Sequence, residues 1–213
     1  MDKSDFTDVS LAMIAGGMGR RMGIPKAWLQ INGQSILAWF HARLQWQGPT
    51  MLVSAPSSRN PPDAHLFDQA IVDPVDDLGP LGGILTALEH LTTPTVVIVA
   101  VDMPNIDSKK LHWLASELTL RPQCQGVMCR IDGNSTGRIE PFPSAFRRAA
   151  AESIRQRLHA QRRSIQELCE EPNFCAVKAP HDWPKDTWAN LNDPHQFAKF
   201  LAALTNQPTE NSR

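Results

Sequence analysis

A seven-residue run at residues 95–101, with the sequence TVVIVAV, is the feature of this chain that most constrains its fold. The run is continuously apolar and rich in β-branched side chains, which is typical of a central strand covered on both faces. Such a strand needs neighbouring strands in a parallel sheet and helices on either side of it. We therefore expect an α/β fold.

Shorter strand-like runs alternate with helix-like segments through the first half of the chain. In order, strands are predicted at residues 9–14, 50–54 and 69–72, and helices at residues 35–44, 84–91 and 108–118, the last with Ser108 as its N-cap. This order predicts a three-layer, Rossmann-like fold with a mainly parallel central sheet and helices on both faces. Ligands of such sheets bind at the carboxyl ends of the strands.

The second half of the chain is predicted from weaker patterns. It contains strands at residues 125–130 and 174–178, a helix over residues 143–159, a short helix opened by a capping box at Ser164, an extended piece at residues 188–192, and a last helix from Pro194 to about residue 204. We expect residues 1–8 to be a disordered leader, residues 9–204 to form a single domain, and residues 205–213 to be a flexible tail.

Charge and composition exclude several classes of protein. The formal net charge of −1 provides no basic field for nucleic acid. No apolar run approaches the ~20 residues of a membrane-spanning helix, and the polar start lacks the order of a signal peptide. We expect a cytoplasmic protein that binds neither nucleic acid nor membrane. Cys124, Cys129, Cys169 and Cys175 have no C-x-x-C spacing, so we expect free thiols rather than a zinc site.

Residues 15–26, with the sequence AGGMGRRMGIPK, follow the first predicted strand directly. Their glycines let backbone N–H groups approach a phosphate, and Arg20, Arg21 and Lys26 add three positive charges. The spacing does not fit the G-x-x-x-x-G-K-[ST] loop, and the run from Gly17 is one residue too long for G-x-G-x-x-G. The segment predicts a nucleoside-triphosphate site. A plain strand-to-helix turn is the alternative.

Asp102 comes directly after the run at residues 95–101. A carboxylate at the end of a buried strand is well placed to hold Mg²⁺, which binds one or two protein carboxylates together with substrate phosphates and water. The alternative is a turn aspartate that precedes Pro104. Next to a phosphate loop in the same sheet, the metal-binding interpretation is favoured.

Residues 79–83, with the sequence GPLGG, predict a second close approach of backbone to ligand. Glycines here would let the chain lie against a base or a ribose, and the following helix offers its N-terminus to an anion. A helix-opening turn is the alternative. Asp73, six residues before Gly79, could accept hydrogen bonds from a guanine edge or a ribose, or could belong to an Asp-Pro turn.

Two metal-binding motifs are absent from the sequence. It contains neither H-E-x-x-H nor a paired C-x-x-C, so a zinc hydrolase is not expected. Six arginines and His159 lie between Arg147 and Arg163. We interpret this run as a solvated helix face. A patch for an anionic second substrate or a partner protein is the alternative.

Taken in order, these segments resemble the molybdenum cofactor guanylyltransferase family, within the glycosyltransferase-A-like nucleotidyltransferases. Residues 14–26 resemble its L-A-G-G-x-x-x-R-M-G-x-x-K motif, residues 79–83 its G-P-L-x-G segment, and residues 102–104 its D-x-P motif. Residues 140–142 resemble its Q/E-P-L/F segment and residues 190–194 its N-x-N-x-P motif. The resemblance covers nearly the whole chain, and G-P-L-x-G is typical of the guanylyl branch.

The resemblance implies the nucleotidyltransferase version of the Rossmann-like fold and a specific reaction. In that reaction GMP passes from MgGTP to the terminal phosphate of the molybdopterin cofactor, and pyrophosphate is released. Mg²⁺ is the implied cofactor, and GTP and molybdopterin are the implied substrates. The resemblance leaves room for a molybdoenzyme or a chaperone as a protein partner.

The resemblance also implies roles for individual residues. The implied nucleotide-binding set is Ile14, Ala15, Gly16, Gly17, Arg20, Lys26, Ser54, Asp73, Gly79, Gly82 and Asp102. Asp102 would hold Mg²⁺ and would act in catalysis with Lys26 and Arg21. Asn190 and Asn192 would lie on the acceptor side of the cleft.

Two positions depart from the family pattern. Ser54 stands where the family often has Asn for nucleotide contact, and the Pro25-Lys26 pair resembles the cytidylyltransferases of isoprenoid synthesis. A cytidylyl or sugar-phosphate nucleotidyltransferase therefore stays open as an alternative, and so does a non-catalytic GTP-binding carrier. Lys26 and Asp102 are both present, which favours an enzyme.

Overall fold

The computed structural model describes residues 6–16, 19, 21–58, 60–74, 78–131 and 137–205. Within these residues the strands and helices are, in chain order, β1 (Val9–Ala15), β2 (Gln30–Ile31), β3 (Gln34–Ser35), α1 (Ile36–Leu44), β4 (Thr50–Ser54), β5 (Gln69–Val72), α2 (Pro80–Glu89), β6 (Thr95–Ala100), α3 (Ser108–Thr119), β7 (Gly126–Arg130), β8 (Ile139–Arg147), α4 (Ala150–His159), β9 (Phe174–Lys178) and α5 (Pro194–Thr205).

Seven of the described strands form one sheet, in the order β5-β4-β1-β6-β8-β7-β9. Neighbours from β5 to β6 all run parallel, and so do β7 and β9, whereas β8 is antiparallel to both β6 and β7. The prediction of an α/β fold with a mainly parallel central sheet is confirmed. β2 and β3 form a separate small hairpin.

Helices cover both faces of this sheet. Successive side chains of a strand point to opposite faces, yet residues 10–15 of β1 and 96–99 of β6 are all buried. α2 packs on β1 and β4 and against α4, while α3 packs on β6, β7 and β8. None of the described helices is long and apolar enough to span a membrane.

The starts of two helices differ from the prediction, one in its N-cap and the other in its first residue. α3 is capped by Asp107, whose carboxylate accepts a hydrogen bond from the Lys110 N–H at 3.0 Å, so Ser108 is the first helical residue and not the N-cap. Asp107 takes the cap because its backbone is extended. α2 begins at Pro80, four residues before the predicted start, because proline is well suited to the first turn of a helix.

The largest departure from prediction lies in the helix expected over residues 143–159. β8 occupies Ile139–Arg147, and the helix starts only at Ala150. β8 lies between β6 and β7 and is buried on both faces, so its sequence lacks the alternation that reveals a half-exposed strand. Pro141 and Pro143 cannot donate to a ladder, and the pairing with β7 shifts register beside them.

The extended piece predicted at residues 188–192 is not a strand. Lys185–Trp188 form a 3-10 turn and the next residues form a loop, where the Leu191 N–H donates to the Asp102 carbonyl at 2.8 Å. This backbone pairs with the turn after β6 instead of a strand. Ser164 likewise precedes a 3-10 turn, Gln166–Glu170, rather than an α-helix.

The leader predicted at residues 1–8 is too long. Phe6–Asp8 form a 3-10 turn directly before β1. Phe6 stacks on His112 of α3 with ring centroids 4.4 Å apart, and Trp46 stacks on His112 at 4.7 Å. Residue 6 is therefore part of the packed structure. Residues 1–5, and the predicted tail from residue 206 onward, lie outside the described residues.

The expectation of four free thiols is wrong. Cys124 and Cys175 form a disulfide that links positions 51 residues apart. The two sulfurs meet because β9 is the parallel neighbour of β7, with Cys175 in register with Val127, and sequence spacing does not reveal that neighbourhood. Cys129 and Cys169 are free, and burial raises the pKa of the Cys169 thiol to about 11.

The arginine-rich segment is not a single solvated face. The guanidinium groups of Arg147 and Arg148 donate to backbone carbonyls at helix and strand ends. Arg157 is only 3% exposed and pairs with Glu167 and Glu171. These three arginines stabilise the fold, because each satisfies acceptor groups in the protein itself.

Candidate active site

A cavity of about 550 Å³ opens at the carboxyl ends of β1, β4 and β6. The strand ends converge because Ile14 is in register with Val53 on one side and Ala100 on the other. The residues of the described ranges that line it are Ile14, Gly16, Gly19, Lys26, Val53, Ser54, Ala55, Ser57, Asp73, Leu78, Gly79, Pro80, Gly83, Ala100, Val101, Asp102, Pro141, Phe142 and Asn190. Its size and position are those of a small-molecule site in an open α/β sheet.

Many of the residues implied by the resemblance line this cavity. They are Ile14, Gly16, Lys26, Ser54, Asp73, Gly79, Asp102 and Asn190.

Other residues of that set lie elsewhere. Ala15 is buried beneath the cavity, where its carbonyl accepts a hydrogen bond from the Ser58 hydroxyl at 3.3 Å. Arg21 is exposed and is not a lining residue. Gly17 and Arg20 lie outside the described residues.

Three polar side chains from distant parts of the chain meet at one edge of the cavity. The Lys26 ammonium donates to Asp102 Oδ2 at 2.5 Å and to Asn192 Oδ1 at 2.8 Å. The Lys26 and Asp102 side chains are 16% and 17% exposed, so the ion pair is largely shielded from bulk water. Asn192 was predicted on the acceptor side. It contacts Lys26 directly although it is not a lining residue.

The turn before Lys26 depends on Gly19. Gly19 has a φ of +54°, and a Cβ at this position would lie 2.0 Å from the Ile24 carbonyl oxygen. The Gly19 carbonyl accepts hydrogen bonds from the N–H groups of Met22 and Gly23. The chain therefore turns tightly enough for Lys26 to point back at the strand ends. This turn requires glycine at position 19.

Asp102 is fixed by the backbone on both sides of it. The Val101 N–H extends the sheet by donating to the Ile14 carbonyl at 3.0 Å, and the Met103 N–H closes a turn onto Ala100 at 3.1 Å. The Asp102 carbonyl accepts from Leu191. The carboxylate is thus held at a strand end that cannot move independently of the sheet.

The start of α2 forms another wall of the cavity. Gly79 has a φ of +68° and Pro80 follows it at the first helical position, so the helix N-terminus opens toward the cavity. A helix N-terminus carries partial positive charge and suits an anion. A Cβ at Gly83 would lie 3.3 Å from Ile14, so this glycine lets α2 pack closely on β1.

Gly82 was expected to contact the nucleotide, but it lies inside α2 and is not a lining residue. A Cβ there would meet Leu78 at 2.6 Å and the Asp73 carboxylate at 3.3 Å. Gly82 therefore makes room for the Asp73 side chain. Of these two neighbouring glycines, Gly83 is the one that lines the cavity.

Ser54 and Asp73 lie side by side at the ends of β4 and β5. The Asp73 N–H donates to the Ser54 carbonyl at 2.8 Å, and the Ser54 hydroxyl donates weakly to the Ile71 carbonyl at 3.4 Å. Both residues line the cavity. The short Ser54 side chain is directed to its own sheet and reaches less far than the amide of an asparagine would.

The sequence analysis assigned no role in the site to several lining residues, chiefly Ser57 and the pair Pro141 and Phe142. The last two belong to residues 140–142, a segment that supports the family resemblance, so a signal for them exists. It was obscured because a helix was predicted from residue 143, whereas β8 carries both residues to the cavity.

Glu140 precedes these two lining residues and is 8% exposed. Burial raises the pKa of its carboxyl, and the ion pair with the exposed Arg138 lowers that pKa by less. The net result is a carboxyl that is harder to ionise than an ordinary glutamate.

The donor set of the cavity can be compared with the needs of a metal ion. Among the described lining residues the carboxylates are Asp73 and Asp102 and the cation is Lys26. No group of three or more His, Cys, Asp or Glu that could hold a metal occurs in the described part of the chain. Asp102 fits Mg²⁺ as a single hard oxygen donor, with phosphates and water completing the shell.

A glycine turn and a helix N-terminus suit the phosphates of a nucleotide, and a carboxylate at a strand end suits a metal bound to them. The cavity has these parts, and the match to a nucleotidyltransferase family identifies the chain as a nucleotidyltransferase. Residues 11–173, well over half of the chain, match the model of the MobA-like NTP transferase domain. The chain therefore belongs to the MobA-like NTP transferase family.

Relatives with closely similar lengths carry consistent names. The molybdenum cofactor guanylyltransferase of Vibrio cholerae serotype O1 is 31% identical over 201 residues, which cover 92% of this chain and 93% of that protein. A probable molybdenum cofactor guanylyltransferase of Bacillus cytotoxicus is 26% identical over 193 residues, covering 89% and 94%.

A solved structure supports the fold independently. The crystal structure of molybdopterin-guanine dinucleotide biosynthesis protein A from Archaeoglobus fulgidus aligns with a TM-score of 0.77 at 21% identity. The alignment covers 93% of this chain and 100% of the other. The nucleotidyltransferase fold implied by the sequence is thereby confirmed.

Proposed function

We propose that this protein transfers GMP from MgGTP to the terminal phosphate of the molybdopterin cofactor and releases pyrophosphate. The observation that carries the proposal is the meeting of Lys26 and Asp102 at the strand ends of a MobA-like NTP transferase fold. Relatives named as molybdenum cofactor guanylyltransferases, matched over most of their length, support the choice of substrates.

The proposed reaction needs no protein nucleophile. An oxygen of the acceptor phosphate, already ionised at neutral pH, forms a bond to the α-phosphorus of GTP. The bond from that phosphorus to the bridging oxygen of the β-phosphate breaks, and pyrophosphate leaves with its electron pair. Catalysis then consists of positioning and charge neutralisation.

The residues of the cavity divide this work. The Lys26 ammonium lies close enough to the strand ends to neutralise charge on the transferred phosphoryl group. Gly16, Gly19 and the start of α2 at Pro80 would hold the triphosphate by backbone N–H groups and helix dipole. Mg²⁺, bound through Asp102, would supply further neutralisation of the phosphate charge. Arg21, which is exposed and does not line the cavity, would hold the departing pyrophosphate.

Base recognition falls to the region around Ser54 and Asp73. The Asp73 carboxylate, seated against the small Gly82, is placed to accept hydrogen bonds from N–H donors of a guanine edge. Cytosine presents fewer such donors on its edge, which supports GTP over CTP as the substrate of the proposed reaction.

Pyrophosphate release measured with molybdopterin and either GTP or CTP tests the proposal. We expect release with GTP in the presence of Mg²⁺ and little with CTP. A preference for CTP would make the protein a cytidylyltransferase of the same fold. GTP binding without pyrophosphate release would make it a carrier.

We also propose that the protein acts in the cytoplasm, because GTP is drawn from that pool. Disulfides are uncommon in that compartment. Thiol titration of protein taken rapidly from cells would show whether Cys124 and Cys175 are joined there. A disulfide retained in full would count against a reducing location.

A further inference from the structure

The contact between Lys26 and Asp102 has a third member that stabilises it. An ammonium has three hydrogen-bond donors, and the protein engages two of them, through Asp102 Oδ2 at 2.5 Å and Asn192 Oδ1 at 2.8 Å. The ion pair is about one-sixth exposed on each side, so water competes weakly with it. In the ligand-free protein the charge of Asp102 is already compensated.

Asn192 is itself held in place. Its backbone N–H donates to Gln196 Oε1 at 2.8 Å. The backbone N–H of the neighbouring Leu191 donates to the carbonyl of Asp102 at 2.8 Å. The loop before α5 is thereby fastened to the residue whose carboxylate Lys26 neutralises. Two hydrogen bonds therefore hold the backbone from which the Asn192 side chain offers its amide oxygen to the ammonium.

A divalent cation that arrives alone faces an unfavourable site. It would have to displace an ammonium from its partner, and it would gain only a few protein ligands, since the described residues contain no cluster of three metal-binding side chains. A triphosphate changes this balance, because its oxygens attract the ammonium and also complete the metal's shell.

We propose that Lys26 is the resident counter-ion of Asp102 and that Asn192 is the positioning residue that keeps it there, so that the protein takes up a divalent cation only together with a nucleoside triphosphate. This inference rests on the proposed function. When the triphosphate enters, Lys26 exchanges Asp102 for a phosphate oxygen while Asn192 keeps its hold on the ammonium. Asp102 is then free to bind the metal.

Binding of Mn²⁺ to the ligand-free protein, followed through the paramagnetic resonance signal of free Mn²⁺, tests the counter-ion. Wild-type protein should bind Mn²⁺ weakly, whereas Lys26→Met and Lys26→Gln should bind it on the order of tenfold more tightly because the competing charge is gone. Lys26→Arg keeps the charge and should resemble the wild type. Equal affinities for the wild type and both neutral variants would overturn the proposal.

A matched control lies outside the cavity. Lys110 and Asp107 form an ion pair with the same 2.5 Å separation between nitrogen and oxygen. Lys110→Met should leave Mn²⁺ binding unchanged, because the Asp107 carboxylate remains engaged as the N-cap of α3 through the Lys110 N–H. An equal gain in this variant would show that any exposed aspartate binds the probe and would overturn the assignment to Asp102.

Asn192→Ala tests the positioning role, because it keeps both charges. We expect roughly a threefold gain in Mn²⁺ affinity without nucleotide, since the ammonium is held less firmly, and a fall in kcat larger than the change in KM for GTP. A residue that only supports the fold would not alter metal affinity. Unchanged Mn²⁺ binding by a folded Asn192→Ala protein would remove Asn192 from the proposal.

One further measurement separates this inference from the proposed function. With GTP present, Asp102→Asn should lose the Mn²⁺ uptake that the wild type shows. If uptake persists, the metal role of Asp102 in the proposed reaction is wrong. If wild-type protein binds Mn²⁺ tightly without GTP and still releases pyrophosphate, only the counter-ion inference fails.

Discussion

At the scale of single residues, the side chain of Asp102 has the central role in the proposed reaction and only a small role in the fold. Its backbone participates in the hydrogen bonds around the end of β6, but its side chain contacts only the cavity edge. The carboxylate can therefore be removed without disturbing the sheet. This separation of backbone and side-chain roles allows a clean test of the metal assignment.

Asp102→Ala should abolish turnover and preserve the fold. We expect pyrophosphate release to fall at least about a thousandfold, since an electrostatic partner of the reacting phosphate is lost. The Tm should fall only modestly, because the Lys26 ammonium keeps its hydrogen bond to Asn192 and some contact with water when its carboxylate partner is removed. The isosteric Asp102→Asn should behave in the same way. Substantial Mg²⁺-dependent turnover in either variant would contradict the assignment.

Gly19 and Gly33 form a matched pair for testing the phosphate turn. Both have positive φ, at +54° and +83°, but only at Gly19 would a Cβ collide with backbone, the Ile24 carbonyl. Alanine at either position costs about 1–2 kcal/mol in left-handed strain. Calorimetric titration should show GTP binding weakened at least about tenfold in Gly19→Ala, because the turn before Lys26 shifts.

Gly33→Ala should bind GTP as the wild type does, because Gly33 lies in the small hairpin of β2 and β3 and nothing lies within 4 Å of its Cβ position. Equal affinities of the two variants would show that the turn at Gly19 can move without consequence for the nucleotide.

At the scale of elements, α4 is fastened to the following turn through Arg157. This guanidinium is 3% exposed and bonds to Glu171 and Glu167, which are partly exposed. Arg157→Met should lower the free energy of unfolding by roughly 2 kcal/mol, less than for a fully buried pair because the two carboxylates keep some water. Urea denaturation measures this.

Arg155 provides the control on the same helix. It pairs with Glu89 and Glu152 at the surface, and such exposed pairs contribute little. Arg155→Met should leave the urea midpoint almost unchanged. A loss equal to that of Arg157→Met would mean that burial of the guanidinium is not what matters.

β8 contains a carboxyl that disfavours folding at neutral pH. Burial raises the pKa of Glu140 in the folded protein, so its contribution to stability is fully present below the pKa of the unfolded chain and is lost as pH rises through the folded pKa. Glu140→Gln should therefore raise the urea midpoint at pH 7. That gain should shrink as the pH falls toward 4.5, the ordinary pKa of glutamate.

Asp68→Asn gives the opposite sign. Hydrogen bonds from Thr50 hold the pKa of Asp68 below its ordinary range, so this carboxylate stabilises the fold at neutral pH and loses that effect in acid. The asparagine variant should be less stable than the wild type at pH 7 and should approach it at low pH. Differences that do not depend on pH in both variants would contradict these pKa directions.

The sequence predicts an element best when the element's own composition reveals its burial. The run at 95–101 is buried on both faces, and its continuously apolar, β-branched composition indicates this burial. β8 has similar burial, but its sequence does not show it. Two prolines, Pro141 and Pro143, interrupt the strand pattern, and the residues between and after them have an ordinary helix propensity. The piece predicted as extended at residues 188–192 pairs with the turn at Asp102, which is too distant in sequence for a local pattern to reveal.

The candidate site divides in the same way. Lys26, Asp102 and Asp73 were predicted because the motif and the strand ends locate them. The contact of Lys26 with Asn192 spans 166 positions, and no local pattern encodes it. Gly82 and Gly83 are neighbours, and only the rotation of α2 decides which one faces the cavity.

At the scale of the whole molecule, the disulfide joins the loop before β7 to β9 at the far edge of the sheet. Its 51-residue separation makes it worth up to about 4 kcal/mol in the chain-entropy model. Reduction with dithiothreitol, or Cys124→Ser with Cys175→Ser, should lower the Tm by several degrees. Nucleotide binding should persist, since neither cysteine lines the cavity.

Cys169→Ser is the control, because Cys169 is a free thiol. Its Tm should match the wild type, and reduction should lower the Tm of both proteins equally. No response of the wild type to reductant would show that the disulfide does not contribute to stability in solution.

The bond between the loop before α5 and Asp102 has a consequence for biosynthesis. Lys26 and Asp102 leave the ribosome well before residue 192, whose side-chain amide contacts the Lys26 ammonium. A nascent chain can therefore form all seven strands of the sheet, the last of which ends at Lys178, before this contact exists. The ammonium is held fully only when the last segment folds back, so we expect chains that stop before residue 192 to turn over GTP more slowly than the full chain.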